Sequence, residues 1–212
     1  MINLFYNYYS DRSEERAQEI RSCLEKNVSN PNFDNIILLN ESTEEFHSPR
    51  VISLAVPSRP LFKDIFTTVS EYSKDDDINI IMNSDCFLDI NDTSTLRKIG
   101  RNEAWCILRT EVTSAGPLKL NKRLNKRNRR KHSSDMQDGW VFVGKPKTGM
   151  GLDFYMGTPG CDNRLAYEFQ NAGYTIANPG AFLKLYHLHN TKTRTYSEKE
   201  RVPGPYAFPE LM

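Results

Sequence analysis

The stretch INIIMNSDCFLDI, residues 78–90, constrains this chain more than any other. An apolar run of strand type breaks at Asn83, Ser84 and Asp85, then resumes with Cys86, Phe87 and Leu88. Burying three small polar groups without partners is costly. The interruption therefore belongs where a strand leaves the core and something can bind. A carboxylate placed there can hold a divalent cation, and the cation can neutralise a diphosphate. The plainer role for Asp85 is to cap a turn.

The residues before this stretch set its context. INLFYNYY (2–9) reads as a strand, followed by a helix with Asp11 or Ser13 as cap and Ala17, Ile20 and Leu24 on one face. NIILLN (35–40) and VISLAV (51–56) are two more strands. Pro60 suits a first helical position, and Phe62, Ile65, Phe66, Val69 and Tyr72 recur at helical spacing behind it. Residues 78–82 make a fourth strand. Strand, helix, strand, strand, helix, strand is an α/β pattern, with a central mixed, mostly parallel sheet flanked by helices. Ligands of such sheets bind beyond the carboxyl ends of the strands, and Asn83–Asp85 falls at one of them.

The second half is less regular. AWCILRTEV (104–112) and GWVFVG (139–144) read as strands, and residues 149–163 as a glycine-rich loop containing a short strand. RLAYEFQNAGY reads as a helix stopping near Gly173, with YTIANP and FLKLYHLHN as closing strands. The proline-rich end, RVPGPYAFPELM, is expected either to lie over the sheet or to link to a longer chain.

Composition narrows the classes. The 212 residues suffice for one domain with a sizeable core. The chain is expected to form a single domain over 1–212, with divisions after residue 90 and residue 200 and a tail at 201–212. A net charge of +1 supplies no global field for nucleic acid or membrane. Cys23, Cys86, Cys106 and Cys161 form no CxxC pair, so free buried thiols in a reducing compartment are expected. No leader or membrane-spanning run is evident, which points to a cytoplasmic protein.

Three further stretches can carry chemistry. In YHLHN, His187 and His189 are two apart in a strand and so share a face. A histidine pair near a carboxylate can complete a metal site; otherwise the two are ordinary half-buried histidines. In GTPGCDN (157–163), glycine turns and a helix start favour anions, and Asp162 is either a cap or a general base. Residues 119–131 hold eight Lys or Arg. Such a run is commonly a solvated loop. Nucleic-acid contact is the functional alternative, weakened by the lack of interleaved aromatics.

Taken together, these pieces resemble the GT-A fold of nucleotide-sugar glycosyltransferases. INIIMNSDCFL is similar to the strand carrying that family's Asp-x-Asp motif. SSDMQDGWVFVG and MGTPGCDNRLAYEFQNAGYTIANPGAFLKLYHLHNTKTRTY resemble the later half of a GT-A-like group. Within the family the likeness is to the N-terminal glycosyltransferase domain of a chlorella-virus protein that builds capsid glycans. The resemblance spans nearly the whole chain, and its later block is the more specific part.

The resemblance implies a nucleotide-binding half (1–90), a sugar and acceptor half (91–200) and a set of residue roles. Asp85 would bind Mn²⁺ or Mg²⁺, and His187 or His189 would complete the metal shell. Asn83 stands where the family has an acid facing the ribose, and its amide can still bond a hydroxyl; Ser84 supplies the spacing between the two. Phe5, Tyr6 and Asn7 would contact the base, Arg59 the base or phosphates, and Asp138 the hydroxyls of the donor sugar. Asp162 would deprotonate the acceptor hydroxyl in an inverting reaction. The implied partners are a nucleoside-diphosphate sugar, a UDP-sugar in particular, and a glycan or glycoprotein acceptor. Two other classes share some of these features. One is a nucleotidyltransferase or metal-dependent phosphohydrolase, and the other is a nucleic-acid-binding module using residues 119–131.

Overall fold

The computed structural model describes residues 1–90, 93–113, 116–117, 137–180, 182–188, 190–191, 197–210 and 212. The basic segment 119–131 and His189 lie outside the described residues.

Four parallel strands form one side of the sheet. They are β1 (Ile2–Tyr8), β2 (Asn35–Asn40), β3 (Val51–Ala55) and β4 (Ile78–Met82), joined in the order β3-β2-β1-β4. Their near-continuous apolar runs are what a sheet covered on both faces requires. On one face, Leu4 and Tyr6 of β1 pack with Ile20 and Leu24 of helix α1 (Glu14–Ser29). On the other, Phe5 packs with Phe62, Ile65 and Phe66 of helix α2 (Phe62–Tyr72). Ser13 caps α1, its Oγ accepting from Arg16 N at 3.4 Å. Helix α2 starts later than Pro60. Leu61 is held extended by a bridge to Tyr155, and its N–H donates to Asp64 at 2.9 Å.

Beyond β4 the sheet continues through β5 (Cys86–Asp89), β6 (Glu103–Thr113), β7 (Gly116–Pro117), β8 (Gln137–Val143), β9 (Thr175–Ala177) and β10 (Lys184–Leu188). The order is β4-β8-β6-β10-β5, with β7 and β9 also paired to β6. Pairs β4–β8, β6–β8, β5–β10 and β6–β7 are antiparallel; β6–β10 and β6–β9 are parallel. The sheet is thus mixed, with a small majority of parallel pairs among the described residues.

This order forces a curl. Strands β4 and β5 stand four places apart in the sheet, roughly 19 Å if it were flat. Four residues from Met82 to Cys86 reach at most about 14 Å. The sheet closes the gap by curling until β5 packs under α1 and its start comes within reach of the Tyr6 hydroxyl, which donates to the carbonyls of Ser84 and Cys86. Asn83, Ser84 and Asp85 are the bridge across the open end of that curl.

Helix α3 (Cys161–Asn171) begins three residues before Arg164, where its apolar periodicity begins. Gly160 caps it at φ +80°, and a β-carbon there would lie 3.0 Å from the Tyr206 hydroxyl and 3.2 Å from the Val202 carbonyl. The chain end runs over this start. Val202 N donates to Pro159 O at 2.9 Å, and Ala207 N to Asn163 O at 3.0 Å. All four cysteines are buried and unbridged. No helix among the described residues is long and apolar enough to cross a membrane.

Candidate active site

The strand directions bring one end of every central strand to the same edge. The carboxyl ends of β1, β4, β6 and β10 meet the amino ends of β5 and β8, as the pairs Met82↔Gly139, His187↔Glu111 and His187↔Cys86 record. Residues distant in sequence therefore converge on Asn83–Asp85.

The convergence forms a closed ring of polar side chains. Asp85 Oδ2 lies 3.1 Å from His187 Nε2, and His187 Nδ1 lies 2.7 Å from Glu111 Oε2. Glu111 Oε1 accepts from Arg109 Nε at 2.8 Å, and Arg109 Nη1 donates to Asp138 Oδ2 at 2.8 Å. The Asn83 amide nitrogen donates to Asp138 Oδ1, and Asn83 N donates to Asp138 O at 3.0 Å. Leu188 N donates to the Asp85 carbonyl at 2.9 Å, fastening β10 to the motif. Arg16, buried in α1, completes the group through ion pairs with Asp85 and Glu19.

Charge governs the protonation states. Burial alone would lower the His187 pKa, but its bonds to the carboxylates of Asp85 and Glu111 outweigh burial and raise it to about 10. Glu111 is held below its ordinary value, because its bond to His187 and the nearby charges overcome the effect of burial. Asp162, in the first turn of α3, is pushed up to about 7 by burial and then by the negative charge of Asp138.

The structure places the expected site residues in three groups. Asn83, Ser84, Asp85, Asp138 and His187 share the polar edge. Asn83 Oδ1 is buried there with no hydrogen-bond partner among the described residues. Asp162 stands next to this edge, within electrostatic reach of Asp138. Arg59 lines a cleft of about 510 Å³ with Ser58, Tyr155, Thr158 and Arg201, and its charge reaches Tyr9, which also feels Arg16 and Asp85. Phe5 and Tyr6 are enclosed in the core at 0% exposure, so in this structure they offer no surface to a base. The Tyr6 hydroxyl instead holds the Ser84 and Cys86 carbonyls from below. Asn7 is buried too, and its amide donates to Leu39 O at 3.2 Å and Glu41 Oε1 at 2.9 Å. Parity along β1 could not reveal this, since both faces of that strand are covered.

Arg16, Glu19, Arg109 and Glu111 are partners that sequence reasoning missed. Arg16 and Glu19 fall at ordinary polar helix positions, and only their spacing of three hints at a pair. Glu111 is recognisable solely through its register opposite His187.

A divalent cation fits the donor set once His187 gives up its Nε2 proton, which an incoming ion would displace. The carboxylate–imidazole spacing of 3.1 Å matches the roughly 3.0 Å between neighbouring ligands of an octahedral ion bound at about 2.1 Å. The Glu111 carboxylate on Nδ1 is the orienting partner that metal-binding histidines typically have. Among the described residues no three His, Cys, Asp or Glu side chains form a ready-made ligand set. Two protein ligands leave positions for phosphate oxygens and water, as Mg²⁺ sites commonly do.

Comparison with solved structures identifies the architecture. A crystal structure of GalNAc-T7 with UDP, GalNAc and Mn²⁺ superposes with a TM-score of 0.54 over 90% of this chain, at 9% identity. The fold is GT-A-like. The match spans 43% of that GalNAc-T7 chain. A 2-C-methyl-D-erythritol 4-phosphate cytidylyltransferase from Francisella tularensis matches over 56% of this chain and 64% of its own, at 15% identity and a TM-score of 0.36. No protein-family model and no curated protein matches the sequence.

Proposed function

We propose that this chain is a glycosyltransferase that moves a sugar from a nucleoside-diphosphate donor, a UDP-sugar in particular, to an acceptor hydroxyl on a glycan. The observation that carries this reading is the meeting of Asp85 and His187 at the strand-end bridge of a GT-A-like sheet. These two side chains would hold Mn²⁺ or Mg²⁺, with Glu111 orienting the histidine. The cation's contribution, when bound, is to offset the charge that grows on the departing diphosphate.

The chain's own residues supply the rest. Asn83, its amide nitrogen held by Asp138, stands at the bridge for a ribose hydroxyl of the donor. Asp138, held by Arg109 and Asn83, has its carboxylate fixed for the sugar hydroxyls. Arg59 brings a positive charge to the neighbouring cleft for the base or phosphates. Asp162 takes the proton of the acceptor hydroxyl. With a pKa of about 7 it is basic enough to accept that proton and is substantially ionised at neutral pH. Attack from the face opposite the diphosphate inverts the anomeric centre.

Calorimetry of UDP binding with and without Mn²⁺, paired with a transfer assay over a panel of UDP-sugars, tests the proposal. Metal-dependent UDP binding and sugar transfer to an added glycan are expected. Release of phosphate or formation of a nucleotide-sugar, with no need for an acceptor, would replace this reading with a phosphohydrolase or nucleotidyltransferase.

A further inference from the structure

The guanidinium of Arg16 sits on the carboxylate that the proposed function assigns to the cation. It donates to Asp85 Oδ2, the same oxygen that His187 approaches. Its Nη1 donates to Glu19 Oε2 at 2.9 Å and to the Leu188 carbonyl at 3.2 Å. The residue is 5% exposed. Glu19 is itself fixed, accepting from Asn190 N at 2.7 Å, Thr191 N at 3.1 Å and the Thr191 hydroxyl at 3.1 Å. Arg16 is thus a permanent positive charge, held against the polar edge by α1 and by the segment that follows β10.

We infer that Arg16 is a resident competitor for the divalent cation, sharing Asp85 with it so that the ion is retained only together with a nucleoside diphosphate. This rests on the reading of Asp85 and His187 as cation ligands. An arginine keeps its charge at any working pH, so protonation cannot relieve the competition. Like charges repel more strongly in a buried site than in water, and a carboxylate already paired offers less to an incoming ion. With one shared carboxylate and one imidazole, the ion is weakly held. A diphosphate supplies both the missing oxygens and negative charge that offsets the two neighbouring cations. Glu19 makes the exchange feasible: a guanidinium that yields Asp85 still keeps a carboxylate and the Leu188 carbonyl, and no buried charge is left unpaired.

The test is a titration of the purified chain with Mn²⁺, followed by electron paramagnetic resonance of the free ion and by calorimetry, with and without UDP. The wild type is expected to bind Mn²⁺ weakly alone and on the order of tenfold or more tightly with UDP. Arg16→Gln is expected to bind Mn²⁺ alone on the order of tenfold more tightly than the wild type does, narrowing the gap that UDP makes. Because Arg16→Gln leaves Glu19 without its cation, the double variant Arg16→Gln/Glu19→Gln carries the same readout with that charge removed. Wild-type protein that binds Mn²⁺ as tightly without UDP as with it would overturn the inference. So would Mn²⁺ binding to the wild type with UDP, combined with variants that bind the free ion no more tightly. Failure of Mn²⁺ to bind any of the three proteins, even with UDP, would overturn both this inference and the assignment of Asp85 and His187.

Discussion

His187 Nε2 lies 3.1 Å from Asp85 Oδ2, although 102 positions separate them in the chain. The contact exists because β10 runs antiparallel to β5, placing His187 opposite Cys86 and therefore beside the residue before it. A histidine and a carboxylate held this way by two paired backbones would be pre-organised for the cation proposed above.

Removal of the carboxylate should abolish that ligand site. Asp85→Ala is expected to eliminate the Mn²⁺ dependence of UDP binding in calorimetry. Buried Arg16 also loses a counter-charge, so stability should fall by up to about 3–5 kcal/mol, read from urea unfolding. Unchanged metal-dependent affinity would remove Asp85 from the site.

Glu111 should act on the cation without touching it. Its bond to Nδ1 fixes the imidazole with Nε2 facing Asp85. Glu111→Gln is expected to weaken Mn²⁺ binding in the presence of UDP by about 10–100-fold, while UDP binding without metal stays as it was. A variant with wild-type Mn²⁺ affinity would show that the orientation of His187 does not depend on this carboxylate.

Asp162 should separate binding from chemistry. Asp162→Asn is expected to keep donor affinity and to lose about 10²–10⁴ in transfer rate. In the wild type the transfer rate should rise with pH through about 7 as the carboxyl ionises. Full transfer by the variant would point instead to a mechanism that retains the anomeric configuration.

The same group has a consequence for stability, with a definite sign. The folded-state pKa is raised from 3.8 to about 7, so between these values the folded chain binds a proton that the unfolded chain has released. This contribution makes stability fall as pH rises across that window. Asp162→Asn removes the slope, and its unfolding midpoint relative to the wild type should improve from pH 4 to pH 8. An equal difference at both pH values would mean the carboxyl is not shifted.

Tyr6 should behave as a support. Its hydroxyl holds the Ser84 carbonyl of the bridge, while the Cys86 carbonyl has a second donor in Asn27; one buried carbonyl left unpaired costs about 1–3 kcal/mol. Tyr6→Phe is therefore expected to lower stability by about that amount in chemical unfolding, with only a secondary loss of UDP affinity. Loss of UDP affinity at undiminished stability would make Tyr6 a direct contact.

Much of this was legible in the residues. The alternation of apolar strands with the periodic helices at Ile20–Leu24 and Phe62–Val69 determines an α/β sheet, because burial of those faces allows little else. The polar break at Asn83–Asp85 determines where a strand must leave the core. Tertiary structure alone decided how that break is used. A strand's partner is set by packing over the whole sheet, and no local pattern states that β5 pairs with β10 or that Glu111 faces His187. The burial of Arg16 was equally hidden, since a charged residue on a helix reads as solvent-facing until the carboxylates that neutralise it are brought to it by the fold.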